Sequence, residues 1–228
     1  MLEVYDWPTP DGLRGGSAHV HLASTEGYIV LSGAGRLQTL GEHGYAETGL
    51  SPGDCLWFPP GTIHRLVNDG ELRILVVMQN AGLPEDGDAV LTFPPAVLAD
   101  LDAYGRAASL VGDDLAAAAR RRRDLAITGY LTLRESVLER GPAGLEDFFA
   151  AAMKLVSGRV DGWRERWRGG ALATAALTGE HLDEIAGGVL GHLAGGGLWR
   201  IPRPAGPASY GMCGRLTTYP ASRAVRAD

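Results

Sequence analysis

The chain has 228 residues, of which 45% are hydrophobic, and a formal net charge of −6. This composition is ample for a folded core and requires no disordered segment. The first 95 residues contain four arginines and twelve acidic residues, a net of −8, whereas the remainder has 17 basic and 15 acidic residues, a net of +2. The acidic N-terminal part argues against nucleic-acid binding, which requires a concentrated basic face.

Two further features of the composition concern location. The N-terminus lacks a basic segment followed by an apolar run, and no uninterrupted apolar stretch approaches twenty residues. We therefore expect a cytoplasmic protein with no membrane partner. Cys55 and Cys213 lie far apart and outside any Cys-x-x-Cys spacing, which fits a reducing compartment. We expect Cys55 to be a buried, inert thiol.

Short β-rich runs bounded by Gly, Pro, Asn or Asp fill the first 95 residues. They span residues 19–22, 27–31, 37–40, 56–58, 63–67 and 72–78. Many short strands at close spacing predict an all-β barrel or sandwich. Because side chains alternate along a strand, Tyr28 should face inward if Glu26 does. By the same rule Asn68 should face inward with His64, and Arg65 should point away.

Residues 15–68 contain two motifs whose spacing is typical of a metal site. The first is Gly15-Gly16-Ser17-Ala18-His19-Val20-His21, followed by Glu26 and Gly33. The second has Gly53, Pro59, Gly61, His64 and Asn68 at the spacing G-x5-P-x-G-x2-H-x3-N. A His-x-His pair on a strand places both imidazoles on one face. The agreement of two independent patterns argues against ordinary surface or core histidines.

The residue types in these motifs suit a transition metal. Three neutral imidazoles and one carboxylate form a donor set that fits Fe, Mn, Co, Ni, Cu or Zn. The lack of thiolates argues against a closed structural zinc site. Four protein ligands also leave a free position on a five- or six-coordinate metal, as catalysis by a metal requires.

These motifs resemble those of the cupin superfamily, and the resemblance covers about the first 95 residues. It implies that His19, His21, Glu26 and His64 bind one divalent transition metal in the mouth of an antiparallel jelly-roll barrel. It implies little about the reaction, because cupins include dioxygenases, isomerases, epimerases, decarboxylases, lyases, storage proteins and the sensor halves of transcription factors.

After residue 95, apolar residues recur with helical periodicity. Asp113 and Asp114 precede a predicted helix that ends at about Thr128, and further helices follow Asp161 and Thr178. A tail rich in glycine and proline spans residues 195–220, with strands predicted near 198–201 and 216–219. We therefore predict an α+β chain, with a β-rich jelly-roll barrel at residues 1–95. Residues 96–228 form a mainly α-helical region that packs on the barrel and ends in an irregular tail.

Two features of the helical region are interpreted as non-functional. The last predicted helix places His181 and His192 on one face but about 16 Å apart, which is too far to share an ion. Arg120 to Arg123 are predicted to form a solvated or ion-paired face, because four consecutive helical residues point in four directions.

Three functions agree with these patterns. The first is a metal-dependent enzyme that acts on a small polar molecule, either as an isomerase or epimerase or as a dioxygenase. The second is a ligand-binding or sensor protein without turnover. The third is a transcription regulator, although no helix-turn-helix with a basic recognition helix is visible. Tyr28 and Asn68 are the candidates to assist catalysis.

Substrate charge and assembly are predicted from the remaining residues. The first 95 residues contain no lysine, so Arg36 and Arg73 are predicted to anchor an anionic substrate. If they face outward, either that charge comes from the helices or the substrate is neutral. The helical region also offers more apolar surface than a barrel needs, and we therefore expect a homodimer; the alternative is that this surface folds back over the chain's own barrel.

Overall fold

A computed structural model describes residues 1–79 and 82–227 of the chain. Nine strands within these residues form one antiparallel sheet that curves into a barrel. They are β1 (Leu2–Val4), β2 (His19–His21), β3 (Glu26–Gly41), β4 (Gly44–Leu50), β5 (Cys55–Phe58), β6 (Ile63–Met78), β7 (Ala89–Leu91), β9 (Ser209–Tyr210) and β10 (Gly214–Leu216). β8 (Trp199–Arg200) and β11 (Val225–Arg226) form a separate two-stranded sheet.

The helices follow the first seven strands. They are α1 (Pro95–Leu98), α2 (Leu101–Ala108), α3 (Leu115–Arg140), α4 (Glu146–Val156), α5 (Val160–Trp167) and α6 (Ala173–Ala186). The predicted α+β arrangement, with a β-rich N-terminal part and a mainly helical remainder, is confirmed. In the described part of the chain, no helix combines the length and apolar character needed to cross a bilayer.

The long strands β3 and β6 each join two of the predicted runs. Gly33 and Glu71 bend the pair, with φ of 79° and 50°, and the pairing shifts between Val30 and Gly35. A side chain at position 33 would clash, since its Cβ would lie 2.3 Å from the Glu71 carbonyl oxygen. The two halves of each strand therefore run along different parts of the barrel, which brings β2 and both ends of β3 beside β6.

The C-terminal tail returns to the barrel. Strand β10 pairs with β1, and the Ser17 amide and hydroxyl both donate to the Met212 carbonyl, at 3.0 and 2.8 Å. Cys213 is 6% exposed and packs in the barrel core. The domain boundary at residue 95 stays a prediction, but strands from both sides of it build this sheet.

Helix α3 attaches the helical region to the barrel. Asp114 caps it as predicted, accepting from the Ala117 amide at 2.9 Å. The helix continues to Arg140, well beyond the predicted end at Thr128. Gly129 lies inside it and packs directly against the backbone of Thr92. A Cβ at position 129 would lie only 2.1 Å from the Thr92 carbonyl oxygen.

Of the two predicted alternatives for Arg120 to Arg123, a solvated or an ion-paired face, Arg123 follows the second, because its guanidinium lies 2.7 Å from Asp124. The Arg123 side chain is 1% exposed and donates to the carbonyls of Trp7 and Pro8, at 2.9 and 2.7 Å. Arg122 is half-buried and donates to the Gly211 carbonyl at 2.6 Å. Because α3 lies against the barrel, the guanidinium groups on its inner face satisfy backbone carbonyls of the N-terminal segment and the tail.

The barrel side of this interface contains a fully buried arginine. Arg65 faces away from the barrel interior, as alternation predicts, but α3 covers it and leaves it 0% exposed. It makes two bonds to Asp11, at 2.6 and 3.0 Å, and lies 5.7 Å from the ring centre of Tyr130. The buried charge is therefore paired and packed, as burial of an ion requires.

The predicted course of α6 is wrong. The helix begins at Ala173, so Thr178 lies inside it, and it ends at Ala186. Gly188 has a φ of 68°, which reverses the chain. The ring of His192 therefore stacks on that of His181 with centres 4.0 Å apart, instead of lying three turns away on one helix. His192 also contacts Glu184 through Nδ1 at 2.6 Å.

Cys55 is exposed, in contrast to the prediction of a buried thiol. On β5 the inward positions are Leu56 and Phe58, and alternation turns Cys55 and Trp57 outward. Trp57 is 79% exposed, so no helix in the described part of the chain buries this face of the sheet.

Candidate metal centre

The structure brings together the four residues predicted as metal ligands. His19 and His21 lie on β2, Glu26 begins β3, and His64 follows the first residue of β6. One donor atom from each lies within 4.8 Å of the other three. His64 Nε2 is 3.1 Å from His19 Nε2 and 3.0 Å from Glu26 Oε2. All four side chains are buried, at 0% to 7% exposed.

Strand pairing and one tight turn place these side chains. His19 and His64 are directly opposite each other on β2 and β6. The turn before β6 contains Gly61, with a φ of 87°, whose amide donates to the His21 carbonyl at 2.9 Å. The turn that leads to His64 is thereby fixed to the strand that carries His21. The spacing of Pro59 and Gly61 in the second motif reflects this geometry.

Each histidine has an oxygen acceptor next to Nδ1. The pairs are His21 with Asp88 Oδ1 at 2.6 Å, His64 with the Thr62 carbonyl at 3.0 Å, and His19 with the Ser17 carbonyl at 3.4 Å. These acceptors assign the proton to Nδ1 in each ring. The three Nε2 lone pairs are thus directed toward the cluster, as binding of a metal requires.

Electrostatics favour a neutral imidazole at His19 and an ionised carboxylate at Glu26. Burial lowers the pKa of His19 well below its ordinary value, and the neighbouring His64 and His21 lower it further. Burial alone would raise the pKa of Glu26, but His64 and His21 outweigh it, and the net effect is a lowered pKa. These are the protonation states in which both residues donate lone pairs to a metal.

The arrangement fits a bound cation. In the described part of the chain, Glu26 Oε2 is buried and accepts no hydrogen bond. With the protons on Nδ1, the Nε2 atoms of His19 and His64 direct lone pairs at each other across 3.1 Å. Buried acceptors without a donor are unfavourable. A divalent transition metal would satisfy all four at once.

Comparison with known proteins agrees with this geometry. The family model of the cupin domain matches residues 9–78, a range that includes all four residues of the cluster. This chain therefore contains a cupin domain. No curated protein matches the chain.

Several solved structures are similar to part of the chain. A predicted oxalate decarboxylase from Thermotoga maritima is 24% identical, covering 32% of this chain and 58% of that one, with a TM-score of 0.26. KdgF from Halomonas sp. is 24% identical, covering 29% and 57%, with a TM-score of 0.25. A cupin 2 conserved barrel domain protein from Salinispora arenicola is 24% identical, covering 35% and 74%, with a TM-score of 0.25. The chain thus spans less than two thirds of the length of the first two of these proteins.

Asp88 supports this site but was not predicted from the sequence. It is 0% exposed, and its second oxygen accepts from the Ala23 amide at 3.3 Å. Burial alone would raise its pKa, but the hydrogen bond and charge of His21, together with hydrogen bonds from Ser24 and Ala23, outweigh this and lower it. Asp88 directly precedes β7, whose Ala89 is opposite His21. Only the pairing of β2 with β7 brings Asp88 to His21, and β7 is not among the strands predicted from the sequence.

The two catalytic candidates lie in different surroundings. Tyr28 is 1% exposed, hydrogen-bonded to Glu26, and its ring centre is 6.2 Å from that of His64. Asn68 is also buried and faces inward, but its amide donates to the Val4 carbonyl at 2.9 Å and accepts from the Leu72 amide at 3.1 Å. Asn68 thus ties β1 to β6, and only Tyr28 contacts the cluster.

The predicted substrate anchors are both already paired with carboxylates, and Arg36 is half-buried whereas Arg73 is exposed. Arg36 contacts Asp69 at 2.8 Å and Glu47 at 3.1 Å, and Arg73 contacts Glu3 at 2.8 Å. Neither belongs to the four-residue cluster.

The helical region and the tail instead supply groups beside His19. Cys213 Sγ lies 3.8 Å from His19 Nδ1 and donates to the Ser17 carbonyl at 3.6 Å. Burial raises the pKa of this thiol, which is therefore neutral. The charge of Arg122 on α3 also contributes to the lowered pKa of His19.

Proposed function

We propose that this protein is a metal-dependent cupin enzyme that acts on a small polar molecule, with the ion held by His19, His21, Glu26 and His64. The observation that carries the proposal is the buried cluster of three imidazoles and one carboxylate, whose ligand atoms lie within 4.8 Å of one another. A bound Fe, Mn, Co, Ni, Cu or Zn ion would polarise a carbonyl or hydroxyl of the substrate. Isomerisation or epimerisation and oxidative cleavage are the two reaction types we propose.

Tyr28 is the residue best placed to handle a proton. Burial raises the pKa of Tyr28 well above its ordinary value, and the Glu26 carboxylate raises it further. The hydroxyl therefore stays protonated and donates to Glu26. In an isomerase or epimerase it would act as the acid that assists proton movement. In a dioxygenase it would orient Glu26 only.

Arg122 is the cation best placed to hold an anionic group. Its Nε is buried without an acceptor, and within residues 1–79 and 82–227 it forms no ion pair. Its guanidinium donates only to the carbonyls of Ala108 and Gly211. Arg36 and Arg73 are less suited, since each is paired with carboxylates. We therefore propose that the substrate carries a carboxylate or phosphate and that Arg122 attracts it.

The test uses the full chain loaded in turn with each of the six metals. Thermal shift against sugars, sugar phosphates and small organic acids identifies ligands, and NMR and an oxygen electrode then measure turnover. We expect a ligand that stabilises the loaded protein but not His19→Ala, and that is consumed. Ligands that bind His19→Ala equally well, or binding without turnover under any metal, would support the sensor alternative and contradict the proposal.

A matched pair of variants tests the anion site. Arg122→Gln should bind an anionic ligand at least tenfold more weakly and retain its metal, whereas Arg121→Gln, at the exposed neighbouring position, should behave as the wild type. Equal affinities of the two variants would contradict the role of Arg122.

Location and assembly remain parts of the proposal. Cys55 and Cys213 are both free, which suits the cytoplasm. We also propose a homodimer.

A further inference from the structure

The chain exposes more surface than a compact protein of its mass. Its accessible surface is 12811 Å². A compact monomer of this mass, 24.1 kDa, exposes about 10,000 Å². The excess is therefore on the order of 2,800 Å². Residues 164–212 account for much of it, because none of them is buried.

Within this stretch, residues 168–199 form an arm with many exposed apolar side chains. These side chains, which are 43% to 74% exposed, are Leu172, Leu177, Leu182, Ile185, Val189, Leu190, Leu193, Leu198 and Trp199. The principal contacts of α6 are with the segments that flank it, Arg168–Leu172 and Gly191–Gly195. The helix continues from α5 through a π-helical turn at Arg168–Leu172, and none of the residues of α6 is buried against the rest of the described chain, so its apolar side chains lack a partner surface.

A second exposed apolar surface lies on the barrel. Ile29, Leu31, Trp57, Leu75 and Val77 are 36% to 79% exposed. They are contiguous, because Ile29 is opposite Cys55 and Leu75, and Gly27 is opposite Trp57 and Val77. This sheet face, on the outer side of β5, β3 and β6, borders a groove of about 380 Å³.

We propose that in a two-fold dimer the arm of each copy covers the sheet face of the other copy. In such a dimer the same arm-to-sheet contact occurs twice and buries both apolar surfaces of each copy. An arm-to-arm contact would leave the sheet face exposed. Obligate homodimers bury about 2,000 to 5,000 Å² in total, which the excess surface of two chains can supply.

The charge of the arm favours a protein partner over a membrane. Residues 168–199 contain no lysine and a single arginine, Arg168 at the start of the arm, but include Glu180, Asp183 and Glu184. Helices that bind lipid surfaces have basic residues on their polar face. The occupant is therefore a second copy of this chain, whose own sheet face is apolar.

Light scattering of the full chain provides the first test. We expect a particle of twice the single-chain mass of 24.1 kDa at micromolar concentration. The double variant Leu182→Glu/Ile185→Glu and the single variant Trp57→Glu should each weaken dimerisation at least 100-fold. Leu138→Glu, at a site 66% exposed on α3, outside both surfaces, is the control and should remain dimeric. A wild-type monomer, or two surface variants that remain dimeric, would overturn the proposal.

Cross-linking tests the contact without disturbing the fold. Cys55 is exposed on the sheet face and Cys213 is buried, so the chain has one accessible thiol among its two cysteines. We introduce cysteine separately at Leu182, Ile185 and Leu190 and oxidise each protein. At least one should give a covalent dimer that disappears when Cys55→Ser is added, whereas Leu138→Cys should not. A covalent dimer that survives Cys55→Ser, or no covalent dimer from any position, would contradict the arm-to-sheet contact. The outcome does not depend on bound metal or turnover.

Discussion

At the scale of single residues, the site depends on groups outside the four ligands. Asp88 and two backbone carbonyls fix the proton of each imidazole on Nδ1. The ligand types followed from the sequence because cupin motifs keep a fixed spacing. Asp88 did not, because its contact with His21 depends on the pairing of β2 with β7. A short strand of three residues leaves little signal in the sequence.

Replacing Asp88 should weaken metal binding without removing a ligand. We expect Asp88→Asn to reduce metal affinity by about 10- to 100-fold, because the charge that orients His21 is lost. A competition titration against a chelator of known affinity measures the change. Asp86→Asn, which removes only an exposed pair with Arg166, is the control. Unchanged affinity in Asp88→Asn would show that this hydrogen bond does not support the site.

The buried pair of Arg65 and Asp11 makes a pH-dependent prediction. Burial alone would raise the pKa of Asp11, but hydrogen bonds from Arg65 and Thr9 lower it from 3.8 to about 2. Because the folded pKa lies below the unfolded one, this stabilisation is present above pH 3.8 and is lost as the pH falls toward 2.

Asp11→Asn should therefore lower the free energy of unfolding by about 3 kcal/mol at pH 7, since it leaves a buried cation unpaired. The difference from the wild type should shrink at pH 3. Urea unfolding at both pH values measures it. Asp69→Asn, which breaks an exposed pair with Arg36, should cost at most about 1 kcal/mol. An equal loss at pH 7 and pH 3 would contradict the assigned pKa.

At the scale of elements, periodicity predicted where strands and helices lie but not all of their ends. The bend at Gly33 lets β3 run through two predicted strands. Helix α3 passes Gly129 because the glycine is held against Thr92, a tertiary contact that outweighs its low helix propensity. The prediction for α6 was wrong in the opposite direction, because this helix is shorter than predicted. Gly187 and Gly188 end it, so His192, which was predicted to lie on the helix, lies beyond its end.

Two glycines test this contact between helix and barrel. Gly129→Ala should lower the free energy of unfolding by about 3 kcal/mol, because the new methyl group overlaps the Thr92 carbonyl. Gly105→Ala on α2 meets nothing within 4 Å and should raise stability by about 0.5 to 1 kcal/mol. Urea unfolding of both proteins provides the comparison. Stability of Gly129→Ala equal to that of the wild type would show that α3 does not approach the barrel this closely.

At the scale of the whole molecule, the chain is not simply a barrel followed by helices. The tail returns to pair with β1, and Cys213 and Arg122 lie near His19. Composition and spacing could not predict this, because β10 has three residues and pairs across more than 200 positions of the chain. The metal cluster was predictable since its four residues lie within one continuous stretch of fewer than fifty.

The central claim is that His19, His21, Glu26 and His64 hold one metal ion, and elemental analysis of the purified full chain tests it most directly. We predict about one transition-metal ion per chain in the wild type and in His43→Ala, whose side chain is exposed at a hairpin tip. His64→Ala should lose most of the metal and keep its fold, because the barrel has a core of its own. A wild-type protein without metal, whose melting temperature does not rise on addition of Fe, Mn, Co, Ni, Cu or Zn, would contradict the account.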